Sequence, residues 1–140
     1  LVVVPIKRPR YRLLMADDDP GFREVLRAIC EPFFACIEAE SGEEAIEIFE
    51  AEPVDLLLID MHMRLLTGIE TVRILKQRKA IIPCILITAD FNDHLRQDAI
   101  EAEAYSVLAK PVKRRDLLST LSTALVDTYD DPSASSFLNN

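Results

Sequence analysis

The feature that most constrains this chain is an unbroken run of four aliphatic residues that ends on a carboxylate, LLLID at 56–60. A run without polar alternation indicates a strand buried on both faces, as in the centre of a parallel sheet. An ionised carboxylate is costly inside such a core, so we expect Asp60 at the carboxyl end of the strand. In open α/β sheets that edge carries the ligand crevice, and Asp60 is therefore expected to face a binding site.

Apolar runs of the same kind recur along the chain and alternate with amphipathic segments. The first such segment has apolar residues at the i, i+3, i+4, i+7 spacing of a helix, at Phe22, Val25, Leu26, Ile29 and Cys30. Strands that alternate with helices predict an α/β fold with a parallel sheet and right-handed crossovers. For five strands the doubly wound order 2-1-3-4-5 fits, which is a flavodoxin-like, three-layer (βα)5 arrangement. The predicted strands lie at 12–16, 34–37, 56–60, 84–89 and 106–109.

The length of 140 residues suits a single folded domain. We assign this domain to residues 11–126, where the strand and helix pattern begins and ends. Residues 1–10 contain two prolines and a basic cluster, and we expect them to form a leader or linker. Residues 127–140 are acidic and rich in serine, which predicts a disordered tail.

Composition argues against several classes of function. Sixteen basic and 24 acidic residues leave a net charge of −8, which repels a phosphate backbone and argues against direct nucleic-acid binding. No apolar run approaches bilayer length and no signal segment is visible, so we expect a soluble, cytoplasmic protein without a membrane partner. The three cysteines lack metal-ligand spacing and are expected to be buried, small side chains in a reducing compartment.

Charged and hydroxyl side chains stand where four of the predicted strands end, at Asp17, Asp18, Asp60, Thr88 and Lys110. In the expected strand order the switch point lies between the first and third strands, so Asp17 and Asp18 should face Asp60. Three crowded carboxylates repel one another, and one would take up a proton unless a cation intervened. Lys110 and a divalent ion would supply that positive charge. Mg²⁺ suits the site because it prefers oxygen ligands and is typically held by one or two carboxylates plus a phosphate oxygen.

These side chains predict phosphoryl transfer onto the protein itself. Beside a bound Mg²⁺, the Asp60 carboxylate could attack phosphorus and become an aspartyl phosphate. Thr88 and Lys110 would then donate hydrogen bonds to the new phosphate oxygens, one through a hydroxyl and one through a charged ammonium. The chain would therefore be a phosphoacceptor signalling domain, limited to self-directed phosphoryl transfer and autodephosphorylation, and not an enzyme acting on a separate substrate.

Four motifs in this order resemble the response-regulator receiver domain of bacterial two-component signalling, the family typified by the chemotaxis response regulator. Each motif alone is weak, but four in the right order, each at a predicted strand, are specific. The resemblance covers about residues 11–126. The motifs are MADDDPGFR at 15–23, LLLIDMHM at 56–63 with Gly68, PCILITAD at 83–90 and LAKPV at 108–112.

The resemblance implies a role for each residue of the metal site. Asp60 matches the phosphoacceptor, and Asp17 and Asp18 match the acidic pair that holds Mg²⁺, for which Mn²⁺ can substitute. Asp18 would be the direct ligand, and Asp17 would act partly through water. His62 falls where the family supplies a backbone carbonyl to the metal, so its imidazole need not coordinate the ion.

The resemblance also implies how a signal enters and leaves the domain. Thr88 matches the switch hydroxyl, and Lys110 matches the lysine that contacts the phosphate. The phosphoryl donor would be a sensor histidine kinase, a phosphotransfer protein or a small acyl phosphate. The face formed by the fourth helix, fifth strand and fifth helix would then bind a downstream protein or a second copy of the chain.

The chain departs from the family pattern at several positions. Arg64 stands where a proline is usual, which predicts a more mobile loop. Glu103 occupies a turn where glycine is common, and a residue other than glycine is strained there if φ is positive. Val107 replaces the switch aromatic, although Tyr105 is nearby, which leaves open whether the switch hydroxyl couples to an aromatic rotamer. His62 and Asp90 occupy positions that tune water access, and they leave the phosphoryl lifetime open.

Each site residue also has a purely structural explanation. Residues 17–19 could cap a helix, Asp60 could end a strand, Thr88 could be an ordinary β-former and Lys110 a solvated lysine. Taken singly these explanations are favoured, but together they would have to coincide at one sheet edge. The imidazole of His62 is expected to be an exposed loop side chain without a ligand set.

Two other functions fit the same architecture. A degenerate receiver would serve only as a protein-docking module, and the complete set of acids, hydroxyl and lysine argues against it. An Asp-nucleophile phosphohydrolase usually has a second acid two residues after the nucleophile, where this chain has His62. A flavin-binding function is weaker still, because the loop after the first strand is acidic and does not form a phosphate cradle.

Overall fold

A computed structural model describes the chain from residue 10 to residue 139, with side chains described up to residue 135. The leader predicted at 1–10 lies outside this range except for Arg10. Strands are β1 Arg12–Ala16, β2 Ala35–Ala39, β3 Leu56–Asp60, β4 Cys84–Thr88 and β5 Ser106–Ala109. Helices are α1 Pro20–Cys30, α2 Gly42–Ala51, α3 Gly68–Arg78, α4 Asp93–Glu101 and α5 Arg114–Tyr129, followed by a 3-10 helix at Pro132–Asn139. Among these helices none has the length and apolarity to cross a bilayer.

The five strands form one parallel sheet in the order β2-β1-β3-β4-β5. This confirms the predicted doubly wound, flavodoxin-like order. The register pairs Asp60 with Ile87 and Thr88 with Ala109. Since all strands run the same way, the carboxyl ends of β1, β3, β4 and β5 lie along one edge of the sheet.

The hydrophobic core lies in two layers, one on each face of the sheet. Along β3, Leu57 and Ile59 pack into the layer covered by α2, α3 and α4. Leu56 and Leu58 pack into the opposite layer, against α1 and α5. All four are fully buried, which explains the lack of polar alternation in the run. Burying one such side chain contributes roughly 1.5–3 kcal/mol.

Side-chain caps set the starts of several helices. The Ser41 hydroxyl accepts a hydrogen bond from the Glu44 amide at the start of α2. At the start of α3, Thr67 and Glu70 form a reciprocal capping box. Each cap satisfies amides that lack partners within the helix.

The C-terminal segment differs from the predicted disordered tail over residues 127–139. Helix α5 continues through Tyr129, and the 3-10 helix follows it. Ala134 is buried against the α1–α5 layer, and its carbonyl accepts a hydrogen bond of 2.8 Å from the Ser122 hydroxyl. The Asp131 carboxylate accepts a hydrogen bond of 2.6 Å from the Tyr11 hydroxyl. Acidic, Ser-rich composition alone does not reveal these tertiary contacts.

Two residues other than glycine near functional loops have left-handed backbones. Glu103, just after α4, has φ of 63°, so the strain expected at this position is present. Leu65, in the loop between β3 and α3, has φ of 66° and a side chain 88% exposed. Such a conformation costs an L residue roughly 1 kcal/mol.

Candidate functional site

Three carboxylates meet at the edge where β1 and β3 end. Asp17 and Asp60 are 1% and 5% exposed, and Asp18 is partly exposed. One carboxylate oxygen from each of the three lies within 4.8 Å of the others. We call Asp17, Asp18 and Asp60 the carboxylate trio. The expected approach of the two acidic segments across the switch point is therefore present.

Hydrogen bonds within the turn after β1 hold the backbone of these acids in place. The Asp17 amide donates a hydrogen bond of 3.1 Å to the carbonyl of Ala39. The Asp17 Oδ1 accepts a hydrogen bond of 2.8 Å from the amide of Asp19. Asp19 caps α1 through the amides of Gly21 and Phe22. Capping therefore accounts for Asp19 and leaves Asp17 and Asp18 for the site.

Lys110 spans the trio from β5. Its Nζ lies 3.2 Å from Asp60 Oδ1 and 3.5 Å from Asp17 Oδ2. The Lys110 amide donates a hydrogen bond of 2.7 Å to the carbonyl of Thr88, and this bond fixes the start of the loop after β5. The ammonium also sits 4.1 Å from the ring centroid of Phe22, a cation–π contact.

Sequence analysis missed two residues that shape the site. Phe22 appeared only as part of the apolar face of α1, and nothing local indicates that Lys110 lies over its ring. Arg23 was not singled out, yet it is 9% exposed and its Nη1 donates 2.6 Å to the carbonyl of Asp17. The available signal was a charged residue directly after an apolar helix position and close to the acidic turn.

The trio is electrostatically unfavourable in the absence of a further cation. Burial raises the pKa of Asp60, repulsion by Asp17 raises it further, and Lys110 opposes both effects. Burial also raises the pKa of Asp17, against the hydrogen bond from Asp19 and the charge of Lys110. Burial lowers the pKa of Lys110, but Asp17 and Asp60 outweigh it and the net shift is upward. The site therefore favours positive charge.

Two buried carboxylate oxygens share the positive charge of Lys110. Asp17 Oδ2 and Asp60 Oδ1 both lie beside the Lys110 ammonium, at 3.5 Å and 3.2 Å, so two buried carboxylates share one positive charge. Two buried carboxylates that share one ammonium repel each other, and a further cation would relieve that repulsion. Carboxylate oxygens are the ligands that hard divalent cations prefer. The trio therefore fits Mg²⁺ or Mn²⁺ by the chemistry of its donors.

Thr88 and His62 lie beside the trio. The Thr88 side chain is fully buried, and its Oγ1 accepts 3.1 Å from the Asp90 amide. The His62 Nε2 is 3.5 Å from Thr88 Oγ1 and 3.6 Å from Asp90 Oδ2. The exposed imidazole thus faces Thr88 and Asp90 and is not a member of the trio. The role of the His62 carbonyl stays a prediction.

Gly68 lets α3 approach the end of β3 closely. Its amide donates 3.0 Å to the carbonyl of Met61. A Cβ at Gly68 would lie 2.5 Å from the carbonyl oxygen of Asp60 and 2.8 Å from the Cα of Met61. Only a residue without a side chain fits there, which explains the glycine that follows the LLLIDMHM motif.

Tyr105 makes its hydrogen bond on the side of α5. Its hydroxyl donates 2.7 Å to Asp127 Oδ2, which ties the start of β5 to α5. Burial, followed by the hydrogen bond to Asp127, raises the pKa of Tyr105 to about 12. Val107 packs against the layer of α2, α3 and α4. Tyr105 thus has a hydrogen-bond partner on α5, and Val107 has partners in the core.

Residues 13–122 match the family described as the response regulator receiver domain. Among curated relatives, the chain is 30% identical over 115 residues to chemotaxis protein CheY of Halobacterium salinarum, covering 81% of this chain and 96% of the relative. It is 32% identical over 115 residues to transcriptional regulatory protein ResD of Bacillus subtilis, covering 81% of this chain and 48% of ResD. The match to transcriptional regulatory protein ZraR of Escherichia coli is 30% over 118 residues, covering 84% of this chain but 27% of ZraR.

Solved structures share the same fold. A response regulator receiver domain protein from Methanospirillum hungatei aligns with a TM-score of 0.83 and 23% identity, covering 86% of this chain and 98% of that one. Response regulator protein TrrA of Thermotoga maritima, solved in complex with Mg²⁺-BeF, aligns with a TM-score of 0.74 and 29% identity, covering 82% and 99%. Sheet order, the family match and the nearly full-length alignment with a CheY agree. The chain belongs to the response regulator receiver domain family.

Proposed function

We propose that this chain accepts a phosphoryl group on Asp60 from a histidine kinase, a phosphotransfer protein or a small acyl phosphate. A carboxylate oxygen of Asp60 would form the new O–P bond while the bond between phosphorus and the donor atom breaks. The donor nitrogen or acyl oxygen leaves with the bonding electron pair. The observation that carries this proposal is the buried Asp60 carboxylate, which has an oxygen within 4.8 Å of oxygens of Asp17 and Asp18 and whose Oδ1 lies 3.2 Å from the Lys110 ammonium.

The trio would hold Mg²⁺ or Mn²⁺, with Asp18 as direct ligand, Asp17 partly through water and the His62 carbonyl as a further donor. When bound, the ion would supply positive charge to the phosphoryl oxygens. TrrA, a structural relative, was solved with Mg²⁺-BeF, which supports this expectation. Lys110 would neutralise a second phosphoryl oxygen, because its ammonium already lies between Asp17 and Asp60.

Output would arise from the charge added at Asp60. An aspartyl phosphate carries roughly −1.5 to −2 charges on its phosphoryl oxygens in place of the single charge of the carboxylate, and it attracts the Thr88 hydroxyl and the Lys110 ammonium. Thr88 Oγ1 accepts from the Asp90 amide, so its movement would pull on the loop that leads into α4. The population of the α4–β5–α5 face would shift toward a state that binds a downstream protein or a second copy of the chain. We place this signalling in the cytoplasm.

The test is incubation of the protein with acetyl phosphate and MgCl₂, followed by intact mass spectrometry. We expect a phosphoryl adduct that is lost in Asp60→Asn and that requires Mg²⁺. Asp55→Asn is a matched control, because Asp55 also flanks β3 but lies at its other end, and it should label normally. Absence of an adduct from both acetyl phosphate and a panel of purified kinases would favour a docking module. Continuous phosphate release from unrelated phosphomonoesters would favour a phosphohydrolase.

A further inference from the structure

Arg23 is a buried cation that contacts the backbone of the acidic turn. From α1 its Nη1 donates 2.6 Å to the Asp17 carbonyl. On its other side, Nε donates 3.3 Å to Glu38 Oε1, and Nη2 is 3.7 Å from Glu40 Oε1. The guanidinium therefore joins α1, the end of β1 and the edge strand β2.

The contact with Asp17 controls more than one residue. A peptide bond is planar, so fixing the Asp17 carbonyl also fixes the amide of Asp18. The Asp17 amide is held by the carbonyl of Ala39 at 3.1 Å. The backbone at Asp17 is thus restrained on both sides, and Arg23 supplies the restraint on the Asp18 side.

The charge of Arg23 has the opposite effect on metal binding from its geometry. A guanidinium close to the trio repels a divalent cation, and its pairing with Glu38 and Glu40 reduces that repulsion. If Arg23 acted by charge alone, removing it would strengthen Mg²⁺ binding. If it acts by geometry, removing it frees the two aspartates and weakens binding.

We propose that Arg23 is a positioning residue for the metal site. Its guanidinium holds the peptide between Asp17 and Asp18 through the Asp17 carbonyl, so that both carboxylates are oriented toward Asp60 before the ion binds. The inference rests on the proposed function, because it requires that the trio hold Mg²⁺. Outer contacts that orient ligand residues typically change metal affinity 10- to 100-fold when removed.

The experiment is calorimetric titration of the whole chain with MgCl₂ alone, without a phosphoryl donor, at constant ionic strength. We expect the Mg²⁺ Kd of Arg23→Met to rise roughly 10- to 100-fold. Arg23→Lys keeps one donor for the Asp17 carbonyl and should fall between Arg23→Met and the wild type. Arg27→Met is the matched control, because Arg27 also pairs with Glu38 but does not contact Asp17. Its Kd should stay within about twofold of the wild type, as expected of an exposed ion pair.

The outcomes separate the inference from the proposed function. If the wild type does not bind Mg²⁺, the proposed function is wrong and the inference falls with it. If the wild type binds but Arg23→Met binds as tightly or more tightly, the positioning role is overturned and the proposed function stands. Equal weakening in Arg23→Met and Arg27→Met would also overturn it. If Arg23→Met does not fold, judged by circular dichroism, Arg23→Lys decides: wild-type affinity there refutes the inference, and weaker binding supports it.

Discussion

The two ends of the sheet are built on opposite principles. At the carboxyl edge, Asp17 and Asp60 are buried beside each other and share the single ammonium of Lys110. At the amino edge, the Tyr129 hydroxyl donates to the Asp55 carbonyl, and Asp55 Oδ2 accepts 2.7 Å from the amide of Arg12. The carboxyl edge therefore holds two buried carboxylates that share one ammonium. At the amino edge, the carboxylate and the carbonyl of Asp55 both accept hydrogen bonds.

Aromatic packing strengthens the amino edge further. The rings of Tyr11 and Tyr129 stack with centroids 5.7 Å apart. Burial, with the nearby charge of Asp55 second, raises the pKa of Tyr129 to about 12, so the phenol stays protonated and able to donate. The difference teaches that the amino edge stabilises the fold while the carboxyl edge lowers stability in return for a site that attracts cations.

The largest expected effect is a loss of stability when the contacts of Tyr129 at the amino edge are removed. Tyr129→Ala removes both the stacked ring and the hydroxyl bond to Asp55, and should lower the free energy of unfolding by about 3 kcal/mol. Urea denaturation monitored by circular dichroism measures the change. Tyr129→Phe retains the ring and should cost only about 1 kcal/mol. Equal losses in the two variants would show that the ring contributes nothing beyond its hydroxyl.

The second prediction concerns the repulsion between buried carboxylates at the carboxyl edge. Asp60→Asn removes a buried charge that faces Asp17, and leaves Lys110 to pair with Asp17 alone. In Mg²⁺-free buffer at pH 7.5 we expect the variant to be more stable than the wild type by about 2 kcal/mol. Asp55→Asn is the control at the amino edge and should be slightly destabilising, because an Asn oxygen accepts the hydrogen bond from the Arg12 amide more weakly than a carboxylate does.

The gain in Asp60→Asn should depend on pH. The pKa of Asp60 is raised above its ordinary value of 3.8 in the folded protein, so the folded state keeps this proton to higher pH than the unfolded chain. The Asp60 contribution to stability therefore falls as pH rises from about 3.8 through the folded pKa. The advantage of the variant should shrink as the pH of the denaturation experiment is lowered toward 4. A gain independent of pH would contradict this account.

The smallest effect concerns Glu103, where the amino side of β5 carries strain. This residue follows α4 with φ of 63°, a position that suits glycine. Glu103→Gly should raise the free energy of unfolding by about 1 kcal/mol, less the added entropy of the unfolded chain. Glu24→Gly, within the regular helix α1, should lower it by about as much. Denaturation curves measure both, and destabilisation by Glu103→Gly would show that the Glu103 side chain contributes contacts that outweigh the strain.

Much of the site could be predicted because its residues occupy ends of strands. Asp60, Thr88 and Lys110 each follow an apolar run, and in a parallel sheet such ends share one edge. Proximity of the trio then followed from strand order. The contacts of Arg23 and Phe22 could not be predicted in this way, because both residues also fit an ordinary amphipathic helix.

The contacts of the C-terminal segment could not be predicted from its composition either. The composition of residues 127–140 indicates disorder, yet Ala134 is buried and Asp131 bonds to Tyr11 near the start of the domain. Composition reports the average tendency of a segment to be solvated. It does not report whether a distant surface offers a matching pocket and donor.

By itself, the sequence determined the alternation of strands and helices, the sheet order and the polar ends of the strands. These follow from burial patterns repeated over a few residues, and such patterns are local. Only the tertiary structure decided that Arg23 holds the Asp17 carbonyl, that Lys110 lies over Phe22 and that Tyr129 secures Asp55. Those contacts join side chains from different elements, so they depend on how helices pack against the sheet, which no local pattern specifies.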